Sequence, residues 1–192
     1  MQTYEEKLFE TLNLESELVE NVHFTECTFS HCNFFELKIK NCKFDRCTFR
    51  SCTCAGTEFQ YTDFKNNDFH HCSLVGISWD ELKTKNGITL PFTAFENCVL
   101  KYNYFVKLKL NQFSFQGNVM EECYFEDCRM EKANFQGCQL KNTKFTKNNL
   151  AFSDFRDARD YMIDVQTNKV KNARFSYPEA VNLLTGLGII LD

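Results

Sequence analysis

Large apolar residues recur at every fifth position along most of this chain. The series begins at Phe24 and runs through Phe29, Phe34, Ile39, Phe44, Phe49, Cys54, Phe59, Phe64, Phe69, Leu74 and Trp79. It resumes one residue out of phase at Phe95, Leu100, Phe105, Leu110, Phe115 and Met120. Phe125, Met130, Phe135, Leu140, Phe145, Leu150 and Phe155 complete it. A period of five fits neither a helix (3.6 residues) nor a flat strand (two residues). It predicts a solenoid, in which short repeats stack into coils around one continuous apolar core.

Composition supports one repeat domain. The chain has 192 residues, with 21 Phe but only two Pro and seven Gly, which excludes a linker-rich or disordered protein. No basic segment followed by an apolar run opens the sequence, and no run approaches a membrane span. A soluble, cytoplasmic protein is expected.

The eleven cysteines follow the same rhythm. Cys27, Cys32, Cys42, Cys47, Cys52, Cys72, Cys98, Cys123, Cys128 and Cys138 each stand two residues before a central position, and Cys54 is itself central. Thr57, Thr62, Ala133, Thr143 and Ser153 fill equivalent slots, so this position takes small, buried side chains. Cys52-Thr53-Cys54 and His70-His71-Cys72 have metal-like spacing, but thiols stacked in columns do not converge on an ion. No metal, cofactor or disulfide is expected.

The unit is a small residue, a polar residue, Phe or Leu, then two variable residues. Cys27-Thr28-Phe29-Ser30-His31, Ala133-Asn134-Phe135-Gln136-Gly137 and Ser153-Asp154-Phe155-Arg156-Asp157 are examples. This resembles the pentapeptide-repeat family from about residue 14 to residue 175. The resemblance implies an all-β, right-handed quadrilateral β-helix with four pentapeptides per coil, so that residues twenty apart share a column. Coils would stack about 4.8 Å apart, a little over six of them.

Three segments depart from the repeat. Residues 80–94 lie between blocks 1–79 and 95–175 and contain Asn86-Gly87 and Pro91. They read either as a structural kink or as a contact loop through Asp80, Glu81, Lys83, Lys85 and Asn86. Residues 176–192 predict a short C-terminal α-helix after Pro178, then an apolar tail. Val181, Leu184, Leu187, Ile189, Ile190 and Leu191 are the expected cap and dimer interface. Residues 1–20 keep the phase at Tyr4, Phe9, Leu14 and Val19 but could also start a helix, and an irregular first coil is expected.

Catalytic motifs are missing. The sequence has no phosphate-binding glycine loop, nucleophile elbow or zinc-protease helix, which points away from an enzyme. Residues 1–79 hold 7 basic and 12 acidic side chains, and the chain as a whole has a net charge of −4. Without a basic stripe, nucleic-acid binding is disfavoured. Glu121, Glu122, Glu126, Asp127 and Glu131 form an outward acidic cluster, which is either a solvated face or a partner contact.

The ending Ile163-Asp164-Val165, Asn168-Lys169-Val170, Phe175 and Pro178-Glu179-Ala180, with Leu184 and Leu187-Gly188-Ile189-Ile190, is similar to topoisomerase-protecting members of that family. These are the McbG microcin-immunity, Qnr quinolone-resistance and mycobacterial MfpA types. The resemblance implies a non-enzymatic homodimer joined at its C-termini that imitates DNA and occupies DNA gyrase or topoisomerase IV. Duplex DNA carries a charge every ~1.7 Å, far denser than −4 over a rod of about 30 Å. Mimicry would therefore rest on shape and local acidic patches. A protein-interaction scaffold with another partner is the alternative.

Overall fold

The computed structural model describes residues 1–82, 89–187 and 189. The chain divides between Val99 and Leu100 into two compact units. Both are built from strands of two to five residues in parallel register, the fold that a five-residue period demands.

Unit 1 has four faces. The first holds β1 (Gln2–Glu5), β4 (Val22–Thr25), β8 (Lys43–Asp45) and β12 (Asp63–Lys65). The second holds β2 (Leu8–Glu10), β5 (Thr28–Ser30), β9 (Thr48–Arg50), β13 (Asn67–His70) and β15 (Phe92–Glu96). On the third, β6 (Asn33–Phe35), β10 (Thr53–Ala55) and β14 (Ser73–Val75) follow a bridge from Asn13 to Asn33. The fourth holds β3 (Leu18–Glu20), β7 (Lys38–Lys40) and β11 (Glu58–Gln60). Register is twenty residues, as in Phe24 opposite Phe44 and Phe29 opposite Phe49.

Residues 1–20 form a regular coil of this unit, with Tyr4 opposite Phe24, Phe9 opposite Phe29 and Val19 beside Ile39. The helical alternative fails, and the coil is more regular than its sequence suggests. Its backbone bonds to the second coil impose the strand geometry.

In unit 2, β16 (Val99–Lys101) opens at the division and neighbours β18 (Val119–Glu121). Another face stacks β17 (Tyr104–Val106), β19 (Tyr124–Glu126), β20 (Lys144–Thr146) and β22 (Met162–Ile163). β21 (Asp154–Phe155) pairs with β23 (Arg174–Phe175). Single bridges complete the columns, from Lys109 through Arg129 and Asn149 to Lys169, and from Ser114 through Asn134 to Asp154.

Central side chains fill both cores. Phe stacks on Phe along a column, as in Phe105 on Phe125 at 4.5 Å and Phe135 on Phe155 at 4.7 Å. Most slots two residues before a central position, from Val22 onward, are buried too, but small size is only half of their role. Cys47 Sγ donates to the Phe24 carbonyl at 3.5 Å, Thr143 Oγ1 to Met120 at 3.0 Å, and Asn148 Nδ2 to Phe125 at 2.8 Å. Each pins one coil to the coil before it. A small donor therefore satisfies a carbonyl that burial has cut off from water.

Corners fall two residues after the central positions and adopt positive φ, except after Trp79. Glycine occupies some of them (Gly56, Gly117), but Asn21, Arg46, Tyr102 and Phe152 do so as well. The left-handed region costs a non-glycine residue roughly 1–2 kcal/mol. Stacking of the coils holds them there.

The phase slip between Trp79 and Phe95 has a local origin. Asn67 faces Phe92 but Asp68 faces Ala94, so Thr93 is an extra residue accommodated as a β-bulge. The backbone on either side of 83–88 lines the wall, with Leu82 and Leu90 carbonyls accepting from Phe64 and Asn66.

The C-terminal element is a 3₁₀ helix, Glu179–Leu187, where an α-helix was expected. Val181 N–H closes back on Pro178 O at 3.0 Å, three residues away. Short segments at chain ends favour this tighter turn. The helix packs against β22.

Candidate functional site: the outward surface

The most nucleophilic side chains of the interior are its thiols. All eleven cysteines are buried and free. Burial pushes the thiols of Cys47, Cys123 and Cys138 up to about 12, so they stay protonated and unreactive. Cys32, Cys52, Cys72 and Cys98 stack in one column of unit 1. The neighbouring Cys52 and Cys98 sulfurs push the Cys72 thiol up, and burial adds to this. Among the described residues, no three His, Cys, Asp or Glu could hold a metal ion. His70 Nδ1 meets Glu96 at 2.9 Å, and His31 meets Ser30. Among the described residues, no helix is long and apolar enough to cross a membrane.

The surface is what remains. The acidic cluster of unit 2 proves to be a belt around one coil, not a stripe along the columns. Glu121 stands between Lys101 at 2.7 Å and Lys141 at 3.3 Å, and hydrogen bonds from both lysines hold its carboxyl below the ordinary range. Glu126 has Val106 on one side and Thr146 on the other. By the same register Asp127 falls between Lys107 and Lys147, and Glu122 between Tyr102 and Asn142. Glu131 has Asn111 and Ala151 as column neighbours, and its carboxylate accepts from Asn149 at 2.9 Å. None of the five has another acid above or below it.

The residues expected to form the contact loop split into two sets. Half-buried Asp80 and exposed Glu81 lie in a turn closed by Glu81 N–H on Ser78 O at 3.2 Å. Lys83, Lys85 and Asn86 lie outside the described residues. At the C-terminus, Val181 and Leu184 are half-buried, and Leu187 and Ile189 are 47% and 45% exposed. Ile190 and Leu191 lie outside the described residues.

Two surface features escape a reading by period alone. One face of unit 2 carries Tyr104 stacked on Tyr124 at 5.2 Å, with Lys144 over the second ring at 5.4 Å. In unit 1, the residue after each central position of the first coil is an exposed glutamate: Glu5, Glu10, Glu15 and Glu20.

Residues 22–91 match the pentapeptide repeat region, and residues 83–165 match the SV2A/B/C luminal domain. Two trypsin-treated variants of QnrB1, a plasmid-mediated fluoroquinolone resistance protein, share the fold. The first has TM-score 0.61 at 16% identity, covering 100% of this chain and 99% of the other. The second has TM-score 0.60 at 15% identity, covering 96% and 100%. Residues 22–91 are a pentapeptide-repeat region, and the chain has the pentapeptide-repeat fold. No curated protein matches by sequence. In this fold the useful surface is the set of outward positions; in the acidic belt lysines flank Glu121 and Asp127, and uncharged residues flank Glu122, Glu126 and Glu131.

Proposed function

We propose that this pentapeptide-repeat protein is non-enzymatic and acts in the cytoplasm. It binds a type II topoisomerase, DNA gyrase or topoisomerase IV, and protects it from quinolones or a peptide toxin. The observation carrying this reading is a fold shared over the whole length with a fluoroquinolone resistance protein. Contact would run through Asp80, Glu81 and the segment that continues to residue 94, with the belt from Glu121 to Glu131 as a second area. Because lysines interrupt the Glu121 and Asp127 columns, the contact depends on shape and loop rather than on a DNA-like field. Val181, Leu184, Leu187 and Ile189 would join two copies.

The test is a gyrase supercoiling assay poisoned by a fluoroquinolone or a microcin. Titrating in the protein should restore supercoiling, and replacing residues 80–94 should abolish the rescue. If neither rescue nor inhibition of gyrase appears, the topoisomerase reading falls. A second reading, an interaction scaffold for a different protein, is favoured by the alternation of Lys101, Glu121 and Lys141 along one column.

A further inference from the structure

The strands of the first coil of unit 1, β1, β2 and β3, each stand last in their sheets, so among the described residues one backbone edge of each has no strand beside it. Inside, the central residues Tyr4, Phe9, Leu14 and Val19 are only half-buried, whereas Phe24 and Phe29 in the next coil are buried. They line a concavity of about 390 Å³, and Leu8 and Leu18 beside it are 59% and 56% exposed. An edge of this kind is a template for another strand.

Charge says what can cover it. Glu5, Glu10, Glu15 and Glu20 place one carboxylate on each of the four faces, and Glu6 and Glu17 lie on the same coil. Lys7 is the only basic side chain in residues 1–20. Among the described residues none of these glutamates is in an ion pair. A second copy presenting the same end would set ring against ring, which like-charge repulsion opposes.

We propose that this end docks a basic partner by strand addition, taking an extended segment in which large apolar residues alternate with Lys or Arg. Alternation matches the pleat. On a single face, an apolar side chain would cover the central residue, Tyr4 on β1 or Phe9 on β2, while the neighbouring cation meets Glu5 or Glu10. The surface is separate from the 80–94 segment and the belt, so the inference stands whichever protein is protected.

The probe is a short fluorescent peptide of alternating lysine and valine, titrated into the full chain and followed by anisotropy. Saturable binding should weaken about tenfold or more when Glu5, Glu10, Glu15 and Glu20 are all changed to Gln. Hydrogen exchange should slow in residues 2–20 and nowhere else. Glu10→Lys alone, at an exposed site, should shift preference towards a glutamate–valine peptide, and this keeps the test valid should the quadruple variant misfold. The proposal is overturned by a lysine–glycine peptide binding equally well, since that leaves only non-specific charge. Protection elsewhere on the chain, or wild-type protein associating with itself through this end, overturns it as well.

Discussion

The two units run the same five-residue repeat but fill it to different standards. In unit 2, Phe105, Phe115, Phe125, Phe135 and Phe155 are at most 1% exposed, and Leu100, Leu110, Met120, Met130, Leu140 and Leu150 are fully enclosed between them. In unit 1, Phe24, Phe34 and Cys54 are each 7% exposed, and Phe59 is only half-buried. An apolar void of about 30 Å³ lies there, lined by Cys54, Phe59, Phe64 and Trp79 among others. Unit 2 alternates Phe with aliphatic residues from face to face, so neighbouring faces interlock. Unit 1 crowds aromatic rings onto adjacent faces and then interrupts one column with Cys54. The period specifies the coil, and the choice of residue at each central position decides how tightly it closes.

Alkaline pH should have the largest effect. The Cys47, Cys123 and Cys138 thiols are held at about 12 when folded, against 9.0 for an ordinary thiol. Their folded values are raised, so stability is intact below pH 9 and is lost as pH climbs towards 12. Each loses up to about 4 kcal/mol across that window. Denaturant midpoints measured from pH 8 to pH 11 should fall steadily in both units. A flat profile would mean that these slots are wet.

Phe135→Ala should come next, at about 3–5 kcal/mol, because nothing in the unit 2 core can collapse into the hole. Phe59→Ala should cost less than half of that, since solvent already reaches its ring. Equal costs in chemical denaturation would remove the difference in packing between the units.

That difference was only partly legible beforehand. The solenoid, its central residues and the inward slots followed from period alone, because every fifth side chain must enter the core. A slip of one residue between Trp79 and Phe95 was countable, but its placement as a bulge at Thr93 depended on pairing with β13, a contact between distant segments. The inward slots read as small. That they also donate to a carbonyl twenty-three residues earlier, as Cys47 does to Phe24, needed the stacked coils. The ring of Glu5, Glu10, Glu15 and Glu20 was in plain view at the same period. Attention to apolar positions hid it, and so did the expectation of an irregular first coil.

The inward donors offer a finer test. Asn148 donates to Phe125 O at 2.8 Å, and its Oδ1 accepts from Cys128 N–H at 2.9 Å. Asn148→Ala leaves both partners buried and unpaired and should cost about 2 kcal/mol by thermal or chemical denaturation. Cys42→Ala in unit 1 removes only a weak thiol donor and should cost less than 1 kcal/mol or so. If the two match, the slot is a matter of volume alone.

Cys54→Leu goes in the opposite direction. This position is the one central residue of the first block too small for its column, and it borders the void. Adding methyl groups there should raise stability by about 1 kcal/mol, seen as a higher denaturant midpoint with an unchanged slope. An enlargement at an inward slot of unit 2, Ala133→Leu, should destabilise, because Ala133 is completely enclosed. Opposite signs from two enlargements would locate the slack in unit 1. Two losses would mean that the void is too narrow or too misshapen for a leucine side chain.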